Sequence, residues 1–239
     1  YHSLLAFGPS SGERVINLLL GLGVAIAVVL MFTLLKISLW LSIPIGLVAG
    51  VALFIWLGRK VQGELEKIFT RAGELMKKQQ FDAAIAVMKE GYRLGSRQFL
   101  VKGSIDGQIG VIQYLRRKTA EAEPYLRTAS MTHYIPKAML AILPWQRGEK
   151  ANAKKTFELA LRSGKKESLL YAVYAYVLVE MREKEKAIEV LGKGLQVCKG
   201  DERLLSNRTQ LQNNKPMKMK VYGEQWYQFM LERPILRQE

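Results

Sequence analysis

Two uncharged apolar runs, Val15 to Leu35 and Leu39 to Leu57, stand almost back to back near the start of this 239-residue chain. The first contains only Asn17 and Thr33 as polar side chains, and Lys36, Ile37 and Ser38 separate it from the second. A helix crosses a bilayer with about 20 apolar residues, so both runs are long enough. A secretory signal has a shorter apolar region and a small-residue cleavage site; here a second run follows at once. A soluble core hairpin would carry polar residues on its outer faces, and neither run does. Residues 15–58 are therefore expected to form a two-span transmembrane hairpin, preceded by an N-terminal segment, 1–14. The opening residue is Tyr1 and not Met, so the natural N-terminus is expected to be processed or to lie upstream.

The short connection requires the two spans to be antiparallel neighbours. Small residues four apart share a helix face: Gly21 and Ala25, Gly23 and Ala27, Gly46 and Gly50. Such pairs allow close backbone approach where lipid supplies no hydrophobic drive, within the hairpin or between subunits. All but two of the 36 Lys and Arg, and all but one of the 21 Asp and Glu, follow Leu57. Arg14 precedes the first span; Arg59, Lys60 and Lys67 follow the second. Basic flanks stay cytoplasmic, so both termini are expected there, at an inner (bacterial) or plasma membrane, with the Lys36–Ser38 tip outside. The glycosylation sequon at Asn207 then never meets its enzyme.

The net charge of +15 favours anionic partners such as lipid headgroups, nucleic acid or an acidic protein face. No nucleic-acid-reading motif accompanies it, so nucleic acid is not the expected partner. The lone Cys198 permits no intrachain disulfide, in keeping with a reducing compartment. His2, His133 and Cys198 do not compose a zinc site, and phosphate-binding loops and nucleophile–base arrangements are absent from the sequence. Neither catalysis nor a cofactor is expected.

After Gly58 the pattern becomes amphipathic, helical and repetitive. Ala84, Ala122, Ala153 and Ala187 open four apolar stripes at spacings of 38, 31 and 34 residues. Seven residues after each stands Gly91, Ala129, Ala160 or Gly194; twelve before each stands Ala72, Gly110, Ala141 or Ala175. Four after each comes a large apolar residue: Met88, Leu126, Phe157 or Leu191. Paired helices cross closely where small side chains face each other, and the large residue fills the adjoining gap.

This pattern resembles the tetratricopeptide repeat over about Glu64 to Gly200. The fourth copy carries Tyr171, Tyr174, Ala175 and Leu178, then Ala187, Leu191 and Gly194; the third carries Arg147-Gly148-Glu149-Lys150, Ala153, Phe157 and Ala160. The second supplies Ile109, Gly110 and Ala122, the first Phe81, Ala84 and Ile85. The family's proline late in each repeat is missing, the first copy lacks an aromatic on its first helix, and Pro144 falls where a helix should continue. The resemblance implies an all-α fold: the transmembrane hairpin followed by a solenoid of about four helix pairs, residues 59–200. It implies a protein-binding groove at Phe69, Lys77, Ser104, Tyr114, Trp145, Gln146 and Tyr176. The alternative for about half of these residues is to fill the solenoid core, the commoner fate of a helical aromatic. The groove lacks the Lys/Asn clamp that holds C-terminal carboxylates in some relatives.

Residues 201–239 read as a capping helix, a break at Asn213-Asn214-Lys215-Pro216, and an aromatic basic tail. Trp226, Tyr227, Phe229 and Met230 are too apolar to hang in water. They are expected to dock on their own repeats, in a neighbour's groove, or at the membrane interface. The function expected is a membrane-anchored interaction scaffold that binds a protein partner and self-assembles as a homo-oligomer. The alternative is a lipid-directed membrane-remodelling protein that uses its basic surface and tail.

Overall fold

The computed structural model describes residues 16–95, 100–130 and 133–232, and the described residues contain no strand. They form eleven α-helices: α1 (Ile16–Leu34), α2 (Leu39–Lys77), α3 (Phe81–Glu90), α4 (Val101–Leu115), α5 (Thr119–Thr128), α6 (Tyr134–Gln146), α7 (Lys150–Ser163), α8 (Ser168–Glu180), α9 (Lys184–Val197), α10 (Glu202–Gln212) and the single turn α11 (Glu224–Tyr227). The chain divides into two compact units, Tyr1–Ile105 and Asp106–Glu239. That division lies inside α4, and residues 58 and 59, where the composition changes, both lie within the unbroken α2.

In the first unit, α1 and α2 lie antiparallel along a seam of small residues. A Cβ added at Gly50 would sit 2.5 Å from the Gly21 carbonyl oxygen, and one at Gly46 would sit 2.7 Å from that of Ala25. Backbone contact this close requires glycine. Gly23 has open space around it, so the Gly23/Ala27 pair stands away from this seam. Only Asn17 and Gly21 of α1 are buried. Leu18, Leu19, Leu22, Ile26 and Leu30 are exposed on α1, as are Leu41, Ile43, Leu47, Val48 and Val51 on α2.

The 39-residue α2 extends about 58 Å at 1.5 Å per residue. Its apolar half passes Trp56, Arg59 and Lys60 and becomes amphipathic, burying Val61, Ile68 and Ala72. Against that face pack Ala84, Ile85 and Met88 of α3. Gly91 leaves room for Ile105, whose Cδ1 would lie 2.8 Å from an added Cβ.

In the second unit the core centres on α8, which is apolar all round and therefore needs cover on every side. Helices α6, α7, α9 and α10 supply it. Phe157 stacks on Tyr174 with centroids 4.7 Å apart. Lys137, almost fully buried, donates from Nζ to the Leu126 and Arg127 carbonyls at the end of α5, the side on which a helix favours a cation. Burial lowers its pKa. Pro144 does lie inside α6, but only two residues before its end, so the bond it cannot donate belongs to the last turn.

All sixteen residues of the repeated sequence pattern are buried, and Ala84, Ala122, Ala153 and Ala187 each stand fourth in their helix. The turns joining α2–α3, α4–α5, α6–α7 and α8–α9 are alike as well. Each has one left-handed residue, Gln79 (φ 59°), Arg117 (63°), Gly148 (82°) or Arg182 (64°). Each also repeats one double hydrogen bond: in the last turn, Arg182 N–H donates to the Val179 carbonyl and Glu183 N–H to that of Leu178. This Schellman arrangement satisfies carbonyls that a helix end leaves open.

Candidate interaction surface

The seven residues assigned to a groove fall in both units. Phe69 and Ser104 are half-buried and Lys77 exposed, all in the first unit; Tyr114, Trp145, Gln146 and Tyr176 belong to the second. There Gln146 is exposed, Trp145 and Tyr176 pack partly against the core, and Tyr114 is buried at 2% exposure. What covers Tyr114 is the C-terminal tail. The Tyr114 hydroxyl donates to the Phe229 carbonyl oxygen at 2.8 Å, and burial pushes its pKa well above the usual tyrosine value. Tyr176 meets the Trp226 ring edge-on, with centroids 4.9 Å apart. Burial, followed by the Glu180 and Glu232 carboxylates, raises the Tyr176 phenol to about 12.

Trp226 and Phe229 are fully buried, while Tyr227 and Met230 are half-buried. Within the single chain the cluster packs on its own helical unit. The indole Nε1 of Trp226 donates to Glu232 at 3.2 Å. Met219 and Tyr222 also reach the core. The signal for them stands in the sequence: 219, 222, 226 and 229 follow the 3-4-3 spacing of an apolar helical stripe. The tail is nonetheless not one helix. Gly223, at φ 58° and ψ −141°, interrupts the stripe with a backbone conformation that is essentially glycine's own.

Asn207 on α10 directs the chain into this path. Its side chain is fully buried, and its Oδ1 accepts from Lys218 N–H at 2.6 Å. A glycan on that nitrogen is incompatible with this packing, whatever compartment the residue meets. Arg203 lies 4.9 Å over the Tyr222 ring while paired to Asp201 at 3.0 Å. By contrast, a cleft of about 280 Å³ beside α5, α6 and α7 is lined in part by charges that pair with one another. Glu123 bonds Arg127 at 2.5 Å and Arg147 at 2.7 Å.

On the hairpin, Trp40 is 89% and Trp56 60% exposed. They lie sixteen residues apart on α2, about 24 Å along the axis, and Lys60 stands 5.8 Å from the Trp56 ring. Sequence reading passed over this pair. Comparison with protein-family models, curated proteins and solved structures finds no match to this chain.

Proposed function

We propose that the chain is a membrane-anchored interaction scaffold. The helix α1 and the apolar half of α2 cross the bilayer as a hairpin, and tetratricopeptide-like helix pairs at the cytoplasmic surface bind proteins and further copies of the chain. The observation that carries this reading is the state of α1 and α2: both are long and apolar enough to cross a membrane, yet only 11% and 17% of their most apolar stretches are buried. A soluble core helix would be buried, and in water these faces would be a large aggregation-prone patch. Trp40 and Trp56 suit the two interfacial aromatic belts, with Arg59 and Lys60 on the cytoplasmic side. The unbroken α2 then holds the first helix pair stiffly at the bilayer surface. The lipid-directed alternative depended partly on the tail, and burial of Trp226 and Phe229 leaves it mainly the net charge.

Carbonate extraction of native membranes tests the anchor: the chain should stay in the membrane pellet, and its release would overturn the reading. Mass photometry in mild detergent tests the scaffold. An oligomer is expected, and a monomer would end that part of the proposal.

A further inference from the structure

The tail is held to the second unit much as a peptide is held by a receptor. Apart from Lys218 N–H to Asn207 and the Phe229 carbonyl to Tyr114, the backbone of residues 217–230 makes local hydrogen bonds. Its attachment otherwise rests on a few side-chain anchors, chiefly Trp226 and Phe229, set in a surface made by other helices.

Its connection to α10 is a short exposed segment. Residues 212–216 are all exposed. Asn214 is left-handed (φ 56°), its side chain accepts from Lys184 Nζ, and Pro216 prevents helical continuation. Asn214 N–H donates to the Leu211 carbonyl and Lys215 N–H to that of Gln210, so the chain leaves α10 through one capped, left-handed turn that sets the direction of the tail. Every copy of the chain offers the same surface and the same tail, so whatever fits in one copy fits equally in its neighbour. Short hinges of this kind favour exchange between copies. Anchoring in a membrane raises the local concentration of neighbours.

We infer that the tail is an exchangeable strap: in assemblies the Trp226–Phe229 segment of one copy seats against Tyr114 and Tyr176 of another. This rests on the self-association proposed above and names the contact that would supply it.

The test uses the full chain in mild detergent. One population carries the photo-crosslinker benzoylphenylalanine in place of Tyr227, and an equal amount of isotopically heavy chain carries none. The two are mixed, allowed to exchange and irradiated. Digestion and mass spectrometry then show whether each crosslinked tail has captured a light or a heavy receptor peptide. With free exchange, about half of the captured peptides should be heavy. Inserting six Gly/Ser residues after Asn214 relaxes the hinge and should return most capture to the light chain. Purely light capture in a preparation that mass photometry shows to be oligomeric overturns the strap while leaving self-association standing. A monomeric preparation overturns self-association itself. Heavy capture that the insertion does not reduce overturns the role given to the hinge.

Discussion

Three of the four turns within helix pairs place Gln79, Arg117 or Arg182 in a left-handed conformation that glycine adopts without a Cβ penalty. The turn geometry is kept although the residue is not, because each following helix must bring its fourth residue into a close crossing. Ala153→Leu overfills one such crossing and is expected to cost about 1–3 kcal/mol. Ala151→Leu, exposed two positions earlier, should stay within about 0.5 kcal/mol. Thermal unfolding of the two variants checks this, and equal shifts would refute the register. Between pairs, Glu183 accepts from Lys154 at 2.8 Å and Lys186 at 2.6 Å, which holds its carboxyl down at about 2. A depressed carboxyl stabilises the fold above its unfolded value and loses that contribution as pH falls through the folded one. Glu183→Gln should therefore lower stability by less than about 1 kcal/mol at neutral pH. The difference should shrink from about pH 4.5 downward and vanish only below about pH 2. A gap in melting temperature that stays constant over that range would contradict the assignment.

Among the elements, α2 joins two environments in one rod. Its N-terminal half offers glycines to α1, and its C-terminal half offers Val61, Ile68 and Ala72 to α3. The seam with α1 is set by backbone approach and so tolerates little. Gly46→Ile with Gly50→Ile drives side chains into the Ala25 and Gly21 carbonyls and should force the helices apart. Spin labels on the two helices should report a separation increased by several ångströms, toward the 8–10 Å axis spacing of ordinary helix pairs or beyond. An unchanged distance would mean that the glycines do not set the seam. The reverse design, Gly23→Ile, enters open space within the chain and should leave that distance unchanged.

On the scale of the whole molecule, the charge distribution is what orients the proposed anchor. Ser38→Cys at the tip should react with an impermeant thiol reagent from outside intact cells, and Lys193→Cys, exposed on α9, should not. Both are placed in a Cys198→Ser background. The opposite labelling would overturn the orientation and with it the cytoplasmic placement of the helix pairs.

The sequence alone determined the two long apolar helices, since length and absence of charge require no knowledge of neighbours. It also determined the four buried small–large patterns, because 3.6-residue periodicity places those residues on one face whatever lies opposite. The identity of the opposite face was a tertiary matter. Gly21, Gly46 and Gly50 meet across the seam while Gly23 does not, although all four read alike along the chain. Tyr114 read as a groove residue because its helix position was legible, but its cover comes from Phe229, 115 residues later. The left-handed turns at Gln79, Arg117 and Arg182 carry no glycine to announce them. Asn207 stood out only as a sequon, yet it is a buried amide hydrogen-bonded to the tail. Local periodicity fixes which residues must be buried. Long-range packing decides what buries them, and so which surface remains for a partner.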